Sequence, residues 1–169
     1  MDVFGYASLV DHGDRVALLP GYRCVWGVAM DNRDEIPGYK YYVDAQSGER
    51  PDVCVAFLDL TPDPSRQVAG VLFEASPADL ELLDRRERNY RREQVALADG
   101  VGSAWAYFGL GRSRRRCVAA LKSGAAVVDR NYYDAVREGF SRLGALARFE
   151  ASAGEPPCPV VDLRRVEIP

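Results

Sequence analysis

Hydrophobic and polar positions alternate with a period of two over several short stretches of the chain, the pattern of half-buried strands. VFGY (3–6), PGYRCVWGVAM (20–30), VCVAFLDL (53–60) and VAGVLFEA (68–75) carry the β-branched and aromatic residues of strands, and TPDPSRQ between the last two predicts a Pro-rich turn. YRREQVAL (90–97) and SAWAYFGL (103–110) read as two further strands flanking a DGVGS turn. Two stretches change period. SPADLELLDRRER (76–88) predicts a helix with Ser76 as N-cap, Pro77 at the first helical position and Asp79 near a capping-box position. The second predicted helix runs from about 129 to 149 and carries Tyr132, Val136, Phe140, Leu143 and Ala147 on one stripe. The polar stretch 31–52 predicts a long loop with room for a short element, and the Pro-rich tail 154–169 an extended chain. Strands interrupted by two helices, without a regular β-α-β alternation, predict an α+β fold with a small mixed, barrel-like sheet and flanking helices. No repeat or composition break divides residues 1–169, so one domain is expected.

Composition narrows the chemistry. The chain of 169 residues is 47% hydrophobic and 28% charged, an ordinary globular balance. The formal net charge of −3 argues against nucleic acid as the partner, and the basic residues are Arg apart from Lys40 and Lys122. No apolar run is long enough to span a bilayer, and no basic n-region precedes an apolar h-region. A cytoplasmic protein is expected. His12 is the single histidine, so neither a His-rich zinc site nor a Ser-His-Asp triad has ready material. Cys24, Cys54, Cys117 and Cys158 are scattered without a C-x-x-C pair. Neither a G-x-G-x-x-G nor a Walker A motif is present. An acid-base catalyst must then be a carboxylate, a tyrosine or one of the two lysines, with no metal and no cofactor.

Glu87 is the most informative candidate. A helical wheel places it between Leu80 and Leu83 on the apolar face, whereas Glu81, Arg85, Arg86 and Arg88 point elsewhere. Desolvation there raises a carboxyl pKa toward values suited to proton transfer. A salt bridge to one of the many arginines, or a helix-end carboxylate turned to solvent, competes with that reading. Asp84 flanks the same face, as a second acid or as a structural hydrogen-bond partner. The break FGYASLV after the first strand leaves backbone amides free to hold a carboxylate or an oxyanion, against the plainer reading of a turn capped by Ser8. Tyr132 is a core tyrosine or a substrate contact. GRSRRR (111–116) reads as a solvated Arg-rich loop or a phosphate contact, and GYKYY (38–42) as pocket lining or core cover.

Taken together these segments resemble the gamma-glutamylcyclotransferase-like family. Tyr6-Ala7-Ser8-Leu9 resembles its N-terminal Y-G-S-L or Y-G-S-N-L loop. Leu83-Asp84-Arg85-Arg86-Glu87, within GVLFEASPADLELLDRRERNY, resembles the L-D-x-x-E pattern that holds the catalytic glutamate. Tyr132, seven residues before Gly139 in YYDAVREG, resembles the late Tyr-to-Gly helix motif, and LPGYRCVW is similar to the second strand. The similarity runs from about Val3 to Gly139, with 31–52 looking particular to this chain. The resemblance implies a small mixed barrel with a cavity at its mouth and cofactor-free cleavage of γ-glutamyl amides or peptides. In that reaction the substrate's α-amine attacks its own γ-carbonyl, forming 5-oxoproline and releasing an amine or amino acid. Glu87 would move the protons, the 6–9 loop would hold the glutamyl end, and Tyr132 would help position it. Ala7 departs from the family's glycine, and a negative φ is expected there, with the methyl narrowing the pocket. Two other readings stand beside this one. A catalytically silent module would bind a small ligand or a protein partner, and a tailoring enzyme would remove a γ-glutamyl protecting group.

Overall fold

The computed structural model describes residues 1–100 and 102–169. Its main sheet has seven strands: β1 (Asp2–Gly5), β2 (Arg15–Asp31), β4 (Cys54–Glu74), β5 (Tyr90–Ala96), β6 (Ser103–Gly109), β7 (Ala126–Asp129) and β8 (Val160–Val161). Their order is β5-β6-β1-β4-β7-β8, with β2 on the other edge of β4. The sheet is mixed: β1–β6, β4–β7 and β7–β8 are parallel, and the remaining pairs antiparallel. A separate two-stranded ribbon joins β3 (Lys40–Asp44) to β9 (Leu163–Glu167). Four helices flank these sheets: α1 (Pro77–Arg86), α2 (Gly111–Ser123), α3 (Arg130–Arg142) and α4 (Leu146–Ala153). This is the α+β architecture expected from the pattern. Among the described residues no helix is long and apolar enough to cross a membrane.

The first helix forms as its sequence predicts. Ser76 Oγ accepts from the Asp79 amide at 3.2 Å, and Asp79 accepts from the Ser76 amide at 2.9 Å, a complete capping box. Leu80 and Leu83 pack with Val3, Leu9 and Tyr107, which fixes α1 against β1 and β6.

Elsewhere the structure corrects the pattern. TPDPSRQ is not a chain-reversing turn, because both halves of β4 run in one direction along β2, with Pro20 opposite Gln67 and Tyr22 opposite Pro62. Pro62 and Pro64 lack the amide that a ladder needs, so the segment bulges outward and the strand resumes. The 111–116 run is not a loop but the first turns of α2. Its buried face consists of the small residues Ser113, Cys117 and Ala120, which give little hydrophobic signal. The helix predicted over 129–149 divides into α3 and α4, because Gly144 takes a left-handed φ of 66° that ends the first. The loop 31–52 contains β3, and the tail supplies β8 and β9 as extended chain. The DGVGS turn includes Val101, which lies outside the described residues.

β4 also creates the opening for a site. β2 covers one of its edges, whereas on the other edge β7 pairs only with Cys54 and Val55, and β1 only with Val71 to Glu74. Between them the edge is open.

Candidate functional site

At this gap the structure holds a cavity of about 290 Å³. Two tyrosines finish the open edge of β4: Tyr132 Oη accepts from the Leu58 amide at 3.2 Å, and Tyr90 Oη donates to the Leu58 carbonyl at 2.7 Å. A backbone edge left bare in a cavity wall would otherwise carry unpaired polar groups. Because the Tyr132 oxygen accepts this bond, its own proton remains available to a ligand.

Tyr6, Ala7, Ser8, Leu9, Glu87 and Tyr132, the six residues to which the family resemblance assigns a role, line this cavity. The first four arrive from the end of β1, where the chain enters a 3-10 turn over Ala7–His12. Tyr6 is anchored rather than free, since its hydroxyl donates to the Tyr107 carbonyl at 2.7 Å. The Leu9 amide donates to the Tyr6 carbonyl at 3.1 Å, which leaves the Ala7 and Ser8 amides as the loop's unused donors among the described contacts. α3 comes close against this turn at Gly139, where any Cβ would overlap the Val10 side chain. That close approach gives the Tyr-to-Gly spacing its physical sense: Gly139 seats the helix on the loop, and Tyr132 reaches the cavity seven residues earlier.

Ala7 corrects one expectation. Its φ is +54°, not negative, and it is the only non-glycine residue with positive φ among those described. A left-handed alanine costs about 1 kcal/mol relative to glycine, so the loop keeps a glycine-like path at the expense of strain. The Ala7→Gly variant is therefore expected to be as stable as the parent or up to about 1 kcal/mol more so, after the added unfolded-state entropy is set against the relieved strain. Ligand affinity should change by less than roughly threefold, because the chain path is retained. Thermal unfolding and titration with a γ-glutamyl amide check both points. Binding tighter by an order of magnitude would show that the methyl obstructs the loop.

Glu87 sits one residue beyond the last turn of α1 as its C-cap, its amide bonded to the Leu83 carbonyl at 2.8 Å. Its side chain is 14% exposed. Burial pushes its pKa above the ordinary carboxylate value, while Arg86, Lys40 and Arg165 pull the other way. Arg86 does not point elsewhere, as the wheel suggests. Its Nε lies 3.4 Å from Glu87 Oε1, and its Nη2 donates to Ser8 Oγ at 3.3 Å, so it ties the acid to the 6–9 loop. Arg86 is the last residue of α1, and its long side chain bends back across the helix end to reach both partners. Asp84 faces away from the cavity, where it accepts from Tyr107 Oη at 2.8 Å and pairs with Arg92 at 3.3 Å.

The sequence reading missed Asp129, Asn89, Asn131 and Arg165 in the wall. Asp129 N-caps α3 by accepting from the Asn131 and Tyr132 amides at 3.4 and 3.3 Å, and burial raises its pKa against those two bonds. A capping Asp ahead of a helix was legible in principle; Arg165, on a tail strand, was not. The aromatic run 38–42 lines the pocket through Tyr39, Lys40 and Tyr42. Asn89 Nδ2 donates to Tyr39 Oη at 3.0 Å and Ser113 Oγ donates to Asn89 Oδ1 at 3.0 Å, a buried chain joining the wall to α2. Among the described residues no three His, Cys, Asp or Glu side chains gather as a metal site. A second hollow, of about 570 Å³, is walled mainly by aliphatic residues, with no carboxylate among the described lining residues.

The cavity thus brings together a largely buried acid, the amides of the 6–9 loop and the Tyr132 hydroxyl. Residues 3–125 match the family model described as "Gamma-glutamyl cyclotransferase, AIG2-like", and the chain belongs to that family. Asp129, Tyr132 and Arg165 lie beyond the matched stretch. Two solved structures share the fold. A gamma-glutamyl cyclotransferase is 12% identical, with a TM-score of 0.54 over 89% of this chain and 84% of its own. An uncharacterized protein from Homo sapiens is 15% identical, with a TM-score of 0.57 over 92% of this chain and 88% of its own. No curated protein matches the chain in sequence.

Proposed function

We propose that the protein is a gamma-glutamyl cyclotransferase, releasing 5-oxoproline and an amine or amino acid from a γ-glutamyl amide or peptide. The observation that carries the reading is Glu87, a desolvated acid in the same cavity as the Ala7 and Ser8 amides. The reaction needs one group that removes a proton from the α-ammonium or amine and returns one to the departing nitrogen. A carboxyl with a raised pKa performs both halves. The α-nitrogen then attacks the γ-carbonyl carbon, the C–N bond to the leaving group breaks, and a five-membered lactam closes. Because the attack is intramolecular, positioning supplies a large part of the acceleration. Amides at the 6–9 loop hold the glutamyl end, and the Tyr132 proton is available to an oxygen of the substrate. Nothing in this sequence of steps calls for a metal or a cofactor.

The test is 5-oxoproline release across a panel of γ-glutamyl amides and peptides, with and without exhaustive chelation. Release from at least one compound, unchanged by the chelator, is the expected result. Activity that vanishes on chelation and returns only with added zinc or manganese would overturn metal independence. Silence across a wide panel would overturn the enzyme and leave a ligand-binding module of the same family.

A further inference from the structure

Lys40 enters the cavity from β3, in the segment 31–52. Its Nζ stands 4.9 Å from the centre of the Phe57 ring, 5.6 Å from Tyr39 and 5.7 Å from Tyr42. Three rings steady an ammonium through their quadrupoles without forming the strong N–H···O bonds that a carboxylate would accept. The acids around the cavity are otherwise engaged: Glu87 stands beside Arg86, Glu167 pairs with Arg165 at 2.5 Å, and Asp129 caps α3. Among the described residues Lys40 forms no ion pair of its own.

The ribbon brings a second cation to the same wall. Tyr42 is opposite Arg165 and Lys40 opposite Glu167, so Lys40, Tyr42 and Arg165 share a face. Both Lys40 and Arg165 line the cavity. Arg86 stands apart from them in role, bonded to Ser8 and beside Glu87. The glutamyl end of the substrate, an ammonium and a carboxylate, is neutral overall and meets the loop and the acid. A neutral leaving fragment would then shield the half-buried Lys40 ammonium from water without offering it an acceptor, which is costly.

We propose that Lys40, assisted by Arg165, is a specificity residue that binds an anionic group, a carboxylate in the simplest case, on the fragment released from the γ-glutamyl group. This rests on the cyclotransferase reading for the identity of the other end of the substrate. A charge-assisted bond from the ammonium is short and strong, and the aromatic walls orient it without consuming it. Arg165 adds a second positive charge while its Nε holds Glu167. Burial brings the Lys40 pKa down to about 8, so the side chain is still a cation at neutral pH.

Three conjugates of matched size distinguish the idea: γ-glutamylglycine, γ-glutamylglycinamide and the γ-glutamyl amide of ethylenediamine. Steady-state release of 5-oxoproline should favour the acid over the amide by at least roughly tenfold, with the cationic conjugate poorest. Lys40→Met should lower kcat/KM for the acid by roughly 10–100-fold, chiefly through KM, and for the amide by a clearly smaller factor, carried by kcat, that reports the loss of a positive charge acting on Glu87. Lys40→Arg should restore most of the preference. Equal turnover of acid and amide by the natural protein, a measurement that needs no variant to fold, would overturn the proposal. So would an equal loss on both conjugates in Lys40→Met. Calorimetric binding of the same compounds to the Glu87→Gln protein separates the two readings. Binding that favours the acid, with no 5-oxoproline from any conjugate in the natural protein, overturns the cyclotransferase and upholds Lys40 as an anion site. Turnover without preference does the reverse, and absence of both binding and turnover overturns both.

Discussion

Glu87→Gln should release 5-oxoproline roughly 10²–10⁴-fold more slowly than the natural protein while folding as well or better. The amide keeps the shape of the side chain and loses only the proton that both halves of the reaction need. The stability side follows from the direction of the pKa shift. The folded protein binds the Glu87 proton more tightly than the unfolded chain does, because burial disfavours the charge. Glu87 therefore contributes stability that is full below the ordinary glutamate pKa and lost as pH rises through the raised folded value. A glutamine in its place has no such dependence, so the variant should gain on the parent across that window and hold the gain above it. In the natural protein the acid limb of the pH-rate profile should lie above the ordinary carboxylate range and disappear in the residual activity of the variant. Near-normal turnover by Glu87→Gln on a confirmed substrate would remove the assignment.

Asp59→Ala should cost about 3–5 kcal/mol of folding stability. The Asp59 side chain is 1% exposed, yet donors from three residues converge on it. Oδ1 accepts from the Leu60 and Gly109 amides at 2.8 Å each, and Arg114 reaches both oxygens, at 2.6 and 3.2 Å. Alanine leaves two buried amides without an acceptor. Arg114 is 37% exposed and can turn toward water, which places the expected loss near the lower end of the range. Asp59→Asn retains one acceptor oxygen and should be hurt less. Urea unfolding of the three proteins measures this, and a change below about 1 kcal/mol for Asp59→Ala would show that water replaces the carboxylate.

What sequence conveyed and what it withheld divide along physical lines. Ser76, Pro77 and Asp79 marked the start of α1 because a capping box is a local contact between neighbours in the chain. The same locality made the 6–9 loop and Glu87 legible, and each lines the cavity. Direction was harder to read. Arg86 was assigned to another face because a wheel gives the direction of a Cα–Cβ bond, and this long side chain turns back to reach Ser8 and Glu87. α2 escaped notice because its inner face is built from Ser113, Cys117 and Ala120, whose burial produces no apolar stripe. The two halves of β4 looked like two strands joined by a turn because prolines signal turns, and only the register against β2 shows that the chain keeps its heading. Lys40 and Arg165 meet through a pairing between distant parts of the chain, and nothing local to either residue announces it. The positive φ at Ala7 is invisible in the same way, since alanine ordinarily avoids it.

The β3–β9 ribbon has a consequence for how the protein acquires its activity. Every partner of β3 comes from a strand that follows all the other elements in chain order, and Lys40 finds Glu167 only after a loop spanning most of the chain has closed. Contacts of such long separation are the slow part of folding, because their entropy is lost before the contact returns any stabilisation. The 6–9 loop waits on a contact just as distant, because Gly139 of α3 packs on Val10, so both of these walls of the cavity close late. The capping box of α1, by contrast, closes over three residues, so the helix that carries Glu87 is expected to form ahead of the loop and the ribbon that complete the cavity around it.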